Sequence, residues 1–208
     1  DVCFQALFHA VYAVGMYGQV IKKDEPAEAE FEVLNKKPNH WMMESDFINA
    51  DTGWVVGGES VDDEGTKEGV ILHTTNGGAA WEIQRTQSAF FSSVDFINEN
   101  EGWVVGSSGV QFDEGVILHT TNGGQTWTAQ SNPILESVDK VFFLDENIGW
   151  AVSNDWWGQI AHTANGGQDW VLQTNPTTNP IVDVFFINPQ KGWAVGMDST
   201  ILRTVNGG

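Results

Sequence analysis

Val94-Asp95-Phe96-Ile97-Asn98-Glu99-Asn100-Glu101-Gly102-Trp103-Val104-Val105-Gly106, continued by Gly115-Val116-Ile117-Leu118-His119-Thr120-Thr121-Asn122-Gly123-Gly124-Gln125-Thr126-Trp127, is the stretch that decides the fold. Runs of β-branched and aromatic residues alternate with Asn/Glu and Asn-Gly-Gly turns, which spells strand, turn, strand, longer loop, strand, tight turn. Trp127-Thr128-Ala129-Gln130 supplies a fourth strand, so the unit is an antiparallel meander. Its second strand, Gly102 to Gly106, is apolar at successive positions and therefore needs cover on both faces. Neighbouring units of the same kind can supply that cover.

The unit recurs. Gly-Trp steps fall at Gly53-Trp54, Gly102-Trp103, Gly149-Trp150 and Gly192-Trp193, and Asn-Gly-Gly turns start at Asn76, Asn122, Asn165 and Asn206. A repeat of this length, carried by strand and turn signals without helical spacing, predicts an all-β β-propeller of four-stranded antiparallel blades. A worn first copy runs through Val2-Cys3-Phe4 and Val11-Tyr12-Ala13-Val14-Gly15, with Asp24-Glu25-Pro26 in place of the turn motif. The reading is a single propeller domain or fragment over 1–208, with repeats at roughly 1–41, 42–86, 91–130, 137–173 and 181–208, the last truncated. A ring must close or leave strand edges open. The chain is thus expected to be part of a longer propeller, or to be completed by another copy or a partner strand.

Composition narrows the partners. With 41% hydrophobic and 12% aromatic residues the chain is globular, and nine Lys plus Arg against 28 Asp plus Glu give a net charge of -19. Such a charge repels polyphosphate and anionic lipid, which argues against nucleic acid and acidic membrane surfaces. Cys3 is the sole cysteine, so no internal disulfide or thiolate metal site is possible, and its apolar surroundings suit a small buried hydrophobe. No run approaches the ~20 apolar residues of a membrane span, and no signal-peptide pattern opens the chain. The acidity suits an extracellular, periplasmic or lumenal setting, and a secreted protein.

Thr74-x-Asn76-x-Gly78-x-x-Trp81 repeats as Thr120-x-Asn122-x-Gly124-x-x-Trp127 and Thr163-x-Asn165-x-Gly167-x-x-Trp170. Asn can bond nearby backbone, Gly supplies left-handed positions, the Thr hydroxyl can tie the loop, and the Trp can wedge between blades. These motifs resemble the Asp-box (BNR-type) propellers, whose signature is Ser/Thr-x-Asp-x-Gly-x-Thr-Trp, here with Asn in the Asp place. The accompanying Gly53 to Gly57, Gly102 to Gly106 and Gly192 to Gly196 strands look like those of the photosystem II assembly and stability factor family, over residues 42–208. The resemblance implies a seven-bladed propeller, of which about five repeats are present, with no catalytic residues, no cofactor and a docked partner protein. It also implies that the Asp-box turns are structural, on the rim opposite the usual binding face, and that docking uses a basic patch.

Candidate sites follow from the copies' differences. Loops between second and third strands vary most: one carries Asp62, Asp63 and Glu64, the next Asp113 and Glu114, and the third Trp156 and Trp157. Variable loops on a rigid scaffold are where recognition resides, and exposed paired tryptophans suit a partner. Solvated acidic loops are the plain alternative. His73, His119 and His162 occupy equivalent strand positions, splayed rather than convergent, so no metal site is expected. Asp46, Asp95 and Asp183 lie on or beside the innermost strand and could face the channel.

Three functions fit. The first is a non-enzymatic propeller scaffold that binds a protein, or further blades, through its variable-loop face. The second is an Asp-box glycoside hydrolase. A sialidase needs three arginines and only Arg85 and Arg203 exist, whereas a glucan hydrolase needs just two carboxylates about 5 to 9.5 Å apart. The third is a repeat segment of a large secreted protein.

Overall fold

The computed structural model describes residues 2–5, 10–15, 19–24, 32–35, 41–60, 67–108, 114–134 and 136–208. Every regular element among them is a strand. The first sheet is β1 (Val2–Gln5), β2 (Ala10–Gly15), β3 (Gln19–Asp24) and β4 (Glu32–Asn35), and the second is β5 (Trp41–Phe47), β6 (Gly53–Ser60), β7 (Lys67–Thr74) and β8 (Glu82–Gln87). The third is β9 (Phe90–Phe96), β10 (Gly102–Ser108), β11 (Glu114–Thr120) and β12 (Thr128–Ala129). The fourth is β13 (Lys140–Phe143), β14 (Gly149–Val152), β15 (Ile160–Thr163) and β16 (Val171–Leu172), and the fifth is β17 (Ile181–Asn188), β18 (Lys191–Gly196) and β19 (Ile201–Thr204). Within each sheet the strands pair antiparallel in chain order, the meander of a propeller blade.

Blades stack on one another through their first strands. β5 packs on β9, β9 on β13 and β13 on β17, so these first strands form the inner wall of an incomplete propeller. The apolar core accordingly lies between sheets. Trp54, Val56 and Ile71 of the second sheet pack with Phe91, Val94, Phe96, Val104 and Leu118 of the third. Trp103, Val105 and Ile117 of the third pack with Val141, Phe143, Ala151 and Ala161 of the fourth. This is why β10 is buried along nearly its whole length: each face meets a different neighbour.

One aromatic stack recurs at each contact. Trp54 lies parallel on Phe96 at 3.5 Å between centroids, Trp103 on Phe143 at 3.4 Å and Trp150 on Phe186 at 3.4 Å. Tyr12 takes the Trp place in the first sheet and stacks on Phe47 at 3.6 Å. The Phe ring lies across the Gly of its own sheet's Gly-Trp step, where a Cβ on Gly102 would come within 2.5 Å of Phe96. Any larger residue would push the ring off its stacking partner, which explains the Gly-Trp pairing.

Candidate functional site

Two regions beyond the apolar core concentrate polar chemistry: the inner wall and the loop face at one end of the sheets. Neighbouring first strands do not form ladders with each other, so their facing N–H groups need other acceptors. Side chains of the preceding sheet provide them. Val94 N–H donates to Glu44 Oε2 at 3.1 Å and Phe96 N–H to Asp46 Oδ2 at 2.7 Å. One sheet on, Val141 N–H donates to Ser93 Oγ at 3.2 Å and Phe143 N–H to Asp95 Oδ2 at 2.5 Å.

The register explains which residues do this. Asp46 and Asp95 stand opposite the Trp of the Gly-Trp step, and Glu44 and Ser93 opposite the residue two further on. In the fourth sheet the same two positions are Phe142 and Lys140, neither of which accepts a hydrogen bond. The fifth sheet compensates locally, because Asp183 Oδ1 accepts from Val184 N–H at 2.8 Å. Asp183 therefore belongs to the Glu44 register, not to that of Asp46 and Asp95 with which the sequence groups it. Phe142 instead packs on Phe185, with ring centroids 5.4 Å apart.

Lys140 forms an ion pair with Glu44, reaching from the fourth sheet past the third to the second. Burial pushes the Asp46 carboxyl up to about 6, against lowering by the Phe96 N–H. Burial, then the nearby Asp46 charge, pushes Asp95 up to about 8. Lys140 is held above its ordinary value, because burial lowers it less than Glu44 and its neighbours raise it. Each carboxylate is thus already engaged with backbone, and the cluster reads as a seam between blades. Among the described residues no group of His, Cys, Asp and Glu is arranged to hold a metal ion.

The loop face holds exposed tryptophans. Trp156 and Trp157, on the turn between β14 and β15, are 84% and 63% exposed. The turn is nevertheless tied down: Asp155 Oδ1 accepts from the N–H groups of Trp157 and Gly158 at 2.8 and 3.0 Å, and Asp139 Oδ2 accepts from Asn154 N–H at 2.9 Å. Asp139 is itself raised, chiefly by burial. Trp41, 55% exposed at the start of β5, faces Gly58 at the same end of its sheet as the β6–β7 connection. Glu114 is exposed at the start of β11, whereas Asp62, Asp63, Glu64 and Asp113 lie outside the described residues.

The turns carry the hydrogen bonds that their residue types allow. Thr74 Oγ1 accepts from Gly78 N–H at 2.9 Å while Asn76 Oδ1 accepts from Ala80 N–H at 2.8 Å. The same pair of bonds is made by Thr120 with Gly124 and Asn122 with Thr126, and by Thr163 with Gly167 and Asn165 with Asp169. Both glycines of each turn are left-handed, for example Gly77 at φ 65° and Gly78 at φ 84°. Trp81, Trp127 and Trp170 then meet Phe47, Phe96 and Phe143 edge-on, at 6.1, 5.9 and 5.7 Å.

His73 and His119 stack on Trp54 and Trp103 at 4.8 and 4.7 Å, and His162 tilts against Trp150 at 5.0 Å, so the three stand in different blades. Burial lowers His73 and His162, and His119 Nε2 meets Glu101 Oε1 at 3.0 Å.

Glu44, Lys140 and Trp41 escape a reading of the sequence. Glu44 leaves one trace, a charge inside the strand Trp41-Met42-Met43-Glu44. Nothing local links it to Lys140 across a separation of 96 residues.

A family model described as photosynthesis system II assembly factor YCF48 matches residues 23–175. Among solved structures, YCF48 bound to a D1 peptide is similar at 26% identity with a TM-score of 0.55, over 75% of this chain and 46% of that one. YCF48 from Cyanidioschyzon merolae is similar at 14% identity with a TM-score of 0.57, over 100% of this chain and 82% of its own. The Niastella koreensis GH74 enzyme is similar at 13% identity with a TM-score of 0.67, over 97% of this chain and 36% of its own. At their level of identity the last two likenesses concern fold alone. No curated protein matches.

Proposed function

The chain belongs to the photosynthesis system II assembly factor YCF48 family, and from that premise we propose that it is a non-enzymatic propeller scaffold that docks a partner protein through its loop face. One observation carries the reading: Trp156 and Trp157 stand out in solvent on a turn whose backbone is pinned by Asp155 and Asp139. Rigidly presented aromatics make effective anchors, since little side-chain freedom is lost on binding.

The Asp-box turns serve structure in this proposal, and the exposed Glu114 at the start of β11 adds negative charge to the docking face. A chain with 28 acidic residues and nine basic ones presents little material for a basic patch, so the complementary surface is on the partner, rich in Lys and Arg. A YCF48 relative binds a D1 peptide. That peptide is the first ligand to try. A compartment outside the cytoplasm, lumenal or periplasmic, fits the same reading.

The glycosidase alternative rests on likeness to the GH74 fold and on the number of carboxylates. Against it, the two carboxyls raised furthest, Asp46 and Asp95, are buried and hydrogen-bonded to the next blade's backbone. Fluorescence anisotropy with the D1 peptide tests the proposal: the double variant Trp156→Ala, Trp157→Ala should weaken binding at least about tenfold, a hot-spot-sized loss. Undiminished binding would remove the loop face from the account. Polysaccharide turnover abolished by a single Asp or Glu substitution would replace docking with hydrolysis.

A further inference from the structure

The turns of the second, third and fourth sheets share one chemically reactive step. Asn76-Gly77-Gly78, Asn122-Gly123-Gly124 and Asn165-Gly166-Gly167 each set an asparagine before two glycines. With no side chain on the following residue, its backbone nitrogen is unshielded and can reach the asparagine Cγ wherever the chain is free to bend. The nitrogen then bonds to Cγ, the Cγ–Nδ2 bond breaks, and the nitrogen's proton departs with the amide group as ammonia. Water opens the resulting five-membered imide at Cγ to give aspartate, or at the main-chain carbonyl to give isoaspartate. The balance is one water in and one ammonia out.

The fold holds the two reacting groups apart. The attacking N–H of Gly77 donates to Asp51 O at 2.8 Å, that of Gly123 to Asn100 O at 2.8 Å and that of Gly166 to Asn147 O at 2.9 Å. Each side-chain oxygen is engaged elsewhere. Asn76 Oδ1 accepts from Ala80 N–H at 2.8 Å and from the Thr74 hydroxyl at 2.9 Å. The same two bonds reach Asn122 from Thr126 and Thr120, and Asn165 from Asp169 and Thr163. Ring closure therefore requires the turn to open first. The turns differ at one atom: Asn122 Nδ2 donates to Thr126 Oγ1 and Asn165 Nδ2 to Asp169 Oδ2, each at 2.9 Å, whereas the side chain at that place in the second sheet, Ala80, has no acceptor to offer.

We propose that these asparagines are latent deamidation sites that the folded turns keep closed and that convert in the order Asn76, Asn122, Asn165. The order follows from the extra bond, which is neutral in the third sheet and charge-assisted in the fourth. The turns also receive the product differently. With aspartate at 122 the Thr126 hydroxyl rotates to donate, and the bond is kept. Aspartate at 165 sets its charge against Asp169, where a hydrogen bond had been. Acid accumulating at the three positions is thus a record of how long each turn has stood open. The inference concerns the turns alone and is independent of the D1-peptide reading.

Peptide mass spectrometry of the whole chain, aged at mildly alkaline pH in buffer and in guanidinium chloride, reads the three conversions side by side. Two glycines follow every site, so in denaturant the three rates should match. In buffer each should fall at least about a hundredfold, since three turn bonds count for about fivefold each. Asn76 should outrun Asn122 by about fivefold, and Asn122 should outrun Asn165 by at least as much. Ala80→Thr, at an exposed position, should slow Asn76 to the Asn122 rate. Conversion as fast in buffer as in denaturant, a different order in the folded chain, or an Asn76 rate indifferent to Ala80→Thr overturns the proposal. So does an absence of conversion in denaturant.

Discussion

The contact between the third and fourth sheets and the contact between the fourth and fifth share one stacked ring pair, yet they are finished differently. Trp103 on Phe143 is backed by Trp170 outside and by Asp95 and Ser93 inside. Trp150 on Phe186 is backed inside by Phe142 against Phe185, and outside by a cavity. The shared element is the stack, worth about 0.5 to 1.5 kcal/mol beyond the area it buries. The polar seam is a separable addition, which is why it can vary from blade to blade while the stack does not.

Truncating the shared ring tests that division most severely. Phe143→Ala should cost about 4 kcal/mol in chemical denaturation, because it opens a hole between two tryptophans, whereas Phe186→Ala beside an existing cavity should cost about half as much. Equal losses would show that Trp170 adds nothing to the closed contact. Next in size is Lys140→Met, which leaves Glu44 buried without its cation and should cost about 3 kcal/mol, the low end for breaking a buried pair. A neutral outcome would mean that the ion pair merely tolerates its position.

The seam should also give the stability a pH dependence. Asp46 and Asp95 bind protons more tightly folded than unfolded, with values of about 6 and about 8 against an ordinary 3.8. Their contribution is complete below pH about 4 and is lost as pH rises through those folded values. The urea midpoint should therefore fall between pH 5 and 8, and fall less steeply in the double variant Asp46→Asn, Asp95→Asn. Identical slopes would separate the two carboxyls from the seam's energetics. The smallest effect belongs to Trp156→Ala, which should change stability by no more than about 0.5 kcal/mol because the side chain stands in solvent.

What the sequence reveals divides along the same line. The Gly-Trp steps, the Asn-Gly-Gly turns and the wholly apolar β10 mark the blades because each is a local pattern with a local cause. That Phe96, and not another residue of its aromatic run, is the ring lying on Trp54 depends on the packing of two sheets. Asp46 and Asp95 can be placed near the inner wall by alternation alone. Their hydrogen bonds to Phe96 and Phe143 in the following blade cannot, since the acceptor's neighbour lies 48 to 50 residues away. Asp183 shows the limit of alternation: it stands opposite Val195, two residues from the place opposite Trp193 that Phe185 holds, so alternation gives it a face and not a partner. The paired tryptophans of the loop face stand out by type, but the aspartates that pin them are ordinary loop residues until the turn is seen.

The second, third and fourth repeats each carry a tryptophan for the blade ahead and a phenylalanine for the blade behind. A tandem duplication of the gene segment encoding any one of these three would therefore arrive with both of its junctions ready-made, and arrays of different length are close together in mutational terms. The tether from Glu44 to Lys140 is the exception. It measures a span of two blades, so an insertion between them would strand both charges, and that arc is the part of the molecule where copy number is least free to drift.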